Sequence, residues 1–368
     1  MSESGLKVAL LSPCYWPETR RGSERFVHEL AGGLLERGQQ PRLITSHPGK
    51  PSRTVEDGLP IVRNWRPPQG RLQRRLLEDY MTHVPFSYLS LRRGDDDIAH
   101  SVFQTDTLAA ARWRERTGRP VVFSYMGTPT RTGLTSKRKR IEITLKAIEG
   151  SDAVVALSRT VADAFVRWLG VDVRVIHPGV DLATFKPGPA RAERPTIFCG
   201  AAIAEPRKRV ALLIRAFRRV RKERPDARLV LSRPRDPSVA ARLGIDDPGV
   251  ELRDVDGRPE LARTYAQAWV SALPSIGEAF GLVLVEAMAC GTPGVGTDSD
   301  GIPEVIGDDS VGVLHPPDDE AGLAKALLEG LELAEDPGTP QRCRRRAEEF
   351  SAERTTEEYM ALYQELLA

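Results

Sequence analysis

At 368 residues the chain exceeds what one comfortable hydrophobic core serves, so two domains are expected. Apolar residues make up 40% of it, and no apolar run nears the roughly 20 residues that cross a bilayer, which leaves a soluble, globular protein. The net charge of +2 conceals 29 Lys and Arg against 20 Asp and Glu in residues 1–189, and 24 against 31 in residues 190–368. Such a split suits an anionic partner or anionic membrane surface facing the first half; the plainer alternative is a solvated surface in an arginine-rich chain.

The chain starts Met1-Ser2-Glu3-Ser4-Gly5 and passes straight into an apolar run without a signal-peptide pattern, so a cytoplasmic protein is expected. Short apolar runs then alternate with amphipathic stretches, as in stacked βαβ units with parallel sheets. Strands are predicted at Val8–Leu11, Arg42–Thr45, Ile98–Ser101, Val121–Tyr125, Ala153–Leu157 and Val173–Ile176. The Pro- and Gly-rich stretch His177–Pro195 marks a boundary. A second set follows at Thr196–Cys199, Arg228–Leu231, Val250–Leu252, Val270–Leu273 and Gly312–Leu314. The pattern predicts doubly wound α/β domains in residues 1–189 and 190–345. Ligands of such sheets bind beyond the carboxyl ends of the strands, so a cleft between two facing domains is expected. From Gln341 to Ala368 the pattern is helical, with Tyr359, Leu362, Tyr363 and Leu366 as its apolar residues, and residues 346–368 form the last element.

Several features exclude chemistry. Cys14, Cys199, Cys290 and Cys343 lack metal-ligand spacing and read as reduced, mostly buried thiols. The run Asp95-Asp96-Asp97 has residue types that hold Mg2+ or Mn2+, but it precedes a strand on the side away from the expected cleft, so a solvated loop and no metal are predicted. Basic clusters occur at Arg71-Leu72-Gln73-Arg74-Arg75 and Lys137-Arg138-Lys139-Arg140, the latter entering an amphipathic helix through Ile141, Ile143, Leu145 and Ile148. That helix suits an ordinary surface, an anionic lipid surface or a phosphorylated acceptor. Nucleic acid is disfavoured because aromatic residues do not interleave with these charges. Neither sheet start carries Gly-x-Gly-x-x-Gly, which disfavours a nicotinamide dehydrogenase.

One stretch speaks for a ligand: Pro274-Ser275-Ile276-Gly277-Glu278-Ala279-Phe280-Gly281-Leu282-Val283-Leu284-Val285-Glu286. It sets two carboxylates on either side of a glycine that opens a helix. Backbone N–H groups around Phe280, Gly281, Leu282 and Val283 point out of the positive dipole end, which suits a diphosphate. Glu286 lies roughly 7 Å along the axis and leans back toward the same end, so one acid reaches a sugar and the other a ribose. Glu278 is otherwise a helix-capping acid and Glu286 a surface residue, against which the apolar neighbours Leu284, Val285, Ala287 and Met288 speak.

These residues resemble the paired-glutamate motif of the retaining glycosyltransferases of family 4, which have the GT-B fold of two Rossmann-like domains facing a cleft. The resemblance extends through Gly22-Ser23-Glu24-Arg25-Phe26, Val175-Ile176-His177-Pro178-Gly179-Val180-Asp181, Phe185-Lys186-Pro187 and Gly301-Ile302-Pro303-Glu304. It implies transfer of a hexose-type unit from a nucleotide diphosphate sugar, UDP or GDP, to the hydroxyl of a small-molecule or lipid-linked acceptor. Retention of configuration, no metal and no cofactor beyond the donor substrate are implied with it; the charge split and the basic helix leave peripheral contact of this cytoplasmic enzyme with an anionic membrane as one expectation. By this resemblance Glu278 contacts the donor sugar, Glu286 the ribose and Lys208 the donor phosphates, with Glu278 and Lys208 as catalytic candidates.

Gly22 fits the loop that lets backbone approach the phosphates, and Ser23 the cap of the following helix. The base is expected on backbone near Arg253 to Val255. His100 matches a family histidine near the cleft, and the final helix is expected to cross back onto the N-terminal domain. Two departures stand out. Met126, before Gly127, occupies a position where the family commonly has histidine. Gly200 is followed by Ala201-Ala202 where the family usually places an arginine, leaving Arg207 and Arg209 as substitutes. The rival readings are a nucleotide-sugar epimerase or phosphorylase on the same scaffold, and a donor-binding protein that has lost transfer.

Overall fold

The computed structural model describes residues 5–15, 22–68, 70, 77–188, 190–234, 236–243, 245 and 247–368, so the basic cluster Arg71–Arg75 lies outside the described residues. The chain divides into one unit of residues 1–179 with 352–368 and another of residues 180–351.

The first unit holds β1 (Lys7–Leu11), β2 (Gln40–His47), β3 (Ser52–Glu56), β4 (Leu59–Trp65), β5 (Ile98–Ser101), β6 (Val121–Tyr125), β7 (Ala153–Ala156) and β8 (Arg174–Val175). They form one sheet in the order β3-β4-β2-β1-β5-β6-β7-β8, parallel except for the β3–β4 pair. Every residue of β5 and β7, and Val8 to Leu11 of β1, is buried, as parallel strands covered on both faces must be. The covering helices are α1 (Gly22–Glu36), α2 (Val84–Arg92), α3 (Gln104–Thr117), α4 (Arg131–Thr135), α5 (Arg140–Glu149) and α6 (Arg159–Leu169). Helix α1 buries Phe26, Val27, Leu30, Ala31 and Leu34, one stripe at helical spacing.

The β3–β4 hairpin is absent from the sequence prediction. Its two-residue turn, Asp57-Gly58, has φ of 50° and 80°, the left-handed pair that an Asp-Gly hairpin turn requires. The strands escaped notice because β3 is an edge strand almost wholly in solvent, without an apolar run.

The second unit holds β9 (Thr196–Cys199), β10 (Arg228–Ser232), β11 (Val250–Arg253), β12 (Val270–Leu273), β13 (Gly294–Thr297) and β14 (Gly312–His315). They form a parallel sheet in the order β11-β10-β9-β12-β13-β14. Around it lie α7 (Val210–Glu223), α8 (Pro237–Arg242), α9 (Arg258–Gln267), α10 (Leu282–Ala289), α11 (Ile302–Ile306), α12 (Glu320–Glu335) and α13 (Thr339–Glu348). Strand β13 was also missed, since Gly294-Val295-Gly296-Thr297 has little of a strand's branched composition. A Cβ on Gly296 would stand 2.4 Å from Ile302 Cγ2, so the glycine lets α11 approach the sheet.

The last helix, α14 (Ala352–Leu367), belongs to the first unit, where Tyr359, Leu362 and Tyr363 join the core containing Phe26 and Leu30. Its approach to α1 is close: a Cβ on Gly33 would meet Thr356 Oγ1 at 2.3 Å. The helical run predicted from Gln341 is interrupted before α14, where the Val180 amide donates to the Phe350 carbonyl at 2.9 Å and Val180 bridges Ser351. The chain thus enters and leaves the second unit side by side. The division therefore falls at 179/180 and 351/352 instead of the expected 189/190 and 345/346. Residues after 180 are held within the second unit, because Arg344 Nη1 and Nη2 donate to the Phe185 and Leu182 carbonyls at 2.6 and 3.1 Å. All four cysteines are buried thiols outside any disulfide. Among the described residues no helix is long and apolar enough to cross a membrane.

Candidate active site

In the second unit β12 ends at Leu273 and the chain runs through Pro274 and Ser275, both buried, into a turn that opens α10. Two glycines make the turn: Gly277 at φ 68° and Gly281 at φ 112°, conformations that favour glycine. Gly281 precedes the first residue of α10, so helix geometry leaves the Leu282 and Val283 amides without intrahelical acceptors. The loop from Cys199 brings a second segment alongside, the short 3-10 turn Pro206–Lys208, and the Ile276 amide donates to the Arg207 carbonyl at 3.0 Å.

That backbone bond places the charges. Lys208 Nζ donates to Glu278 Oε1, and Arg207 Nη1 donates to the same oxygen at 3.0 Å. Arg207 Nε also pairs with Glu205 at 3.0 Å. The Lys208 and Glu278 side chains are only 9% and 11% exposed, so this ion pair is largely desolvated, whereas the Arg207 side chain is 45% exposed. Lys208 ends a 3-10 turn and does not itself open a helix; Arg209, at φ 53°, separates it from α7 and pairs with Asp318 at 2.9 Å on the surface. Beneath the cluster, burial pushes the Cys199 thiol up to about 11, so it stays protonated at neutral pH.

Glu286 lies one turn into α10 and is buried, with Tyr265 OH donating to Oε2 at 3.4 Å. Sequence reasoning missed Tyr265. Its hydroxyl would be 2.3 Å from a Cβ on Gly200, which explains a glycine at the end of β9 and is a signal that only packing reveals. A second support also went unread. Asp300 Oδ2 accepts the Gly277 amide at 2.7 Å, and the Gly301 amide donates to the Glu278 carbonyl at 2.9 Å. A Cβ on Gly301 would be 2.5 Å from the Ala279 carbonyl oxygen, so the Gly301-Ile302-Pro303-Glu304 motif clamps the loop that carries Glu278. Phe280 is buried edge-on against Phe350 at 5.2 Å between centroids, and Val255 is half-buried just beyond β11.

The first unit holds the other predicted residues. Gly22 and Ser23 are the first residues of α1. Ser23 Oγ donates to Glu24 Oε2 at 3.1 Å, and a Cβ on Gly22 would meet open space among the described residues, so among these neither a serine cap nor a steric need for glycine is present there. His100 differs from the expectation of a histidine near the cleft. It is fully buried, with Nδ1 2.6 Å from Tyr363 OH and Nε2 2.7 Å from Ser124 Oγ, itself 2.7 Å from Tyr359 OH. Burial pushes its imidazole down to about 3, and its work is to tie α14 to the sheet. Met126 packs half-buried against the same core, and Gly127 is half-buried beside Tyr125. The Asp95-Asp96-Asp97 run is not a solvated loop throughout. Arg42 binds the buried Asp96, Lys7 Nζ binds Asp95, and the Lys7 amide donates to Asp97 at 2.9 Å.

Comparison with known proteins fits this geometry. The family model described as Glycosyltransferase Family 4 matches residues 20–184, and that described as Glycosyl transferases group 1 matches residues 194–332. The D-inositol 3-phosphate glycosyltransferase of Saccharomonospora viridis is 30% identical over 305 residues, spanning 74% of this chain and 70% of the relative. The chain belongs to glycosyltransferase family 4. A D-inositol 3-phosphate glycosyltransferase of Paenarthrobacter aurescens is 28% identical to this family 4 glycosyltransferase over 94% of the chain and 93% of the relative. Sucrose-phosphate synthase from Thermosynechococcus elongatus has a similar structure, with a TM-score of 0.81 at 20% identity over 98% of this chain and 99% of that one. So has Anabaena HepE in complex with UDP and glucose, at 0.74 and 17% over 98% and 99%. The fold of this family 4 glycosyltransferase is GT-B, two Rossmann-like α/β domains.

Proposed function

We propose that this glycosyltransferase moves a hexose-type unit from a UDP- or GDP-linked sugar to an acceptor hydroxyl, with retention at the anomeric carbon and without a metal ion. The observation that carries the reading is the convergence of Lys208 and Arg207 on Glu278 beside the opening turn of α10. Two cations and the amides of Leu282 and Val283 match the charge of a diphosphate, the neutralising task that a divalent metal performs in other sites. Arg207 takes the part left open by Ala201-Ala202, since it converges with Lys208 on Glu278 beside the turn, whereas Arg209 is turned to Asp318 on the surface. The solved structures of Anabaena HepE with UDP-glucose and of a starch synthase with ADP support a nucleotide-sugar donor.

As the bond from the anomeric carbon to the diphosphate oxygen breaks, negative charge grows on the leaving group, where Lys208 and Arg207 stabilise it. The acceptor oxygen bonds the anomeric carbon on the same face and its proton passes to the departing diphosphate, giving a glycoside and a nucleoside diphosphate. Glu278 orients the sugar and offsets positive charge on its ring, and Glu286 accepts from the ribose hydroxyls. The test begins with a thermal-shift screen of UDP-, GDP- and ADP-glucose. Nucleoside diphosphate release and the anomeric coupling of the product by proton NMR then decide the reaction. An α-linked product from an α-linked donor is expected; an inverted product, or an epimerised donor without release, refutes the reading.

A further inference from the structure

Beyond the carboxyl ends of β4 and β6, where ligands of such sheets bind, lies a charged cluster separate from the donor residues. Glu78 in the β4–α2 connection is completely buried. Arg140, the first residue of α5, donates to it from Nε at 2.5 Å and from Nη2 at 2.7 Å, a bidentate pair that uses both carboxylate oxygens. Lys137 Nζ stands 3.7 Å from Glu78 and pairs with Asp79. Burial pushes the Glu78 carboxyl up, but the bonds from Arg140 and the Asp79 amide outweigh it and hold the group below its ordinary value, so it is ionised. Next in the chain, Tyr80 sits edge-on against Phe103, 5.3 Å between centroids, just past the end of β5. The cluster therefore borders the gap between β1 and β5, where the strand order reverses.

The sequence offers Lys137 to Arg140 as a clamp for a phosphorylated acceptor. In the folded chain Arg140 and Lys137 already hold an internal anion. A phosphate taking this place would have to eject Glu78 and leave a buried carboxylate without its partner, a costly arrangement. We infer that Glu78 is a specificity-determining residue that fills the position of a phosphate, so that the acceptor is an uncharged sugar or polyol in preference to its phosphate ester. The inference rests on the glycosyltransferase reading above and would separate this chain from relatives named for D-inositol 3-phosphate.

The test titrates inorganic phosphate by calorimetry into wild type, Glu78→Gln and the Glu78→Gln/Arg140→Gln double variant. Glutamine keeps the shape of Glu78 and removes its charge, and phosphate held by Lys208 and Arg207 is common to all three proteins. Glu78→Gln is expected to bind phosphate about tenfold tighter than wild type, with the gain lost in the double variant. No gain, or a gain that survives the loss of Arg140, overturns the inference. A second measurement needs only wild type: nucleoside diphosphate release from UDP- and GDP-glucose with myo-inositol and glucose against inositol 3-phosphate and glucose 6-phosphate. Faster release with the uncharged pair supports the inference, whereas equal or reversed rates overturn it and leave glycosyl transfer standing. Release with none of the four counts against transfer itself, and the phosphate titration then decides the role of Glu78.

Discussion

Replacing Lys208 with alanine separates chemistry from stability. Its ammonium is bonded to Glu278 Oε1, and Arg207 Nη1 holds the same oxygen at 3.0 Å. Removal therefore costs one charge-assisted bond, about 1.5–3 kcal/mol. It does not incur the roughly 3–5 kcal/mol of a buried charge stripped of its partner, because Arg207 remains. For a unit of this size ~2 kcal/mol corresponds to a fall in Tm of roughly 4–8 °C. The rate should suffer more, since a preorganised cation aimed at charge developing on the diphosphate contributes roughly 10²–10³-fold, or ~3–4 kcal/mol of barrier. Lys208→Ala is thus expected to lose about a hundredfold or more in kcat/KM for nucleoside diphosphate release while melting within ~8 °C of wild type. Release assays at saturating acceptor, paired with calorimetric melting, read both quantities. Activity within about threefold of wild type would remove Lys208 from the chemistry, and a melting loss above roughly 15 °C would make its role structural.

Three further outcomes are expected. Glu286→Gln should weaken nucleoside diphosphate binding about tenfold with little change in Tm, because a buried acceptor of ribose hydroxyls loses its charge; unaltered affinity by calorimetry refutes the ribose role. Gly301→Ala should lower both Tm and kcat/KM, since a Cβ 2.5 Å from the Ala279 carbonyl forces the Glu278 loop to move at a cost of ~1–3 kcal/mol; a variant matching wild type in both would show that the clamp is slack. Acid should destabilise the first unit early. His100 is fully buried with its imidazole pushed down to about 3, so below about pH 6.5 the unfolded chain binds a proton there that the folded one refuses. Its contribution to stability is whole above that pH and falls progressively toward pH 3, by about 3 kcal/mol at pH 4.5. Denaturant midpoints measured from pH 7 to 4.5 should show this slope, and His100→Gln should flatten it.

Most strands and the glycine turn that opens α10 were legible in the linear chain because their causes are local. A parallel strand covered on both faces must be a short apolar run, as Ile98–Ser101 and Thr196–Cys199 are. A glycine ahead of a helix leaves its first amides open whatever surrounds it, so Gly281 and the acids around it could be read as a diphosphate site. Tertiary contact settled what residue types leave open. Arg207 and Arg209 are equivalent in sequence, and only the backbone bond from Ile276 and the left-handed turn at Arg209 aim one at Glu278 and the other at Asp318. His100 became a core residue through Tyr363, a partner 263 positions away, and Arg140 lost its freedom to a glutamate 62 positions earlier. Charge and hydrogen-bonding capacity are written in the residue, but whether a group faces a ligand or a neighbour depends on which distant segment the fold lays against it.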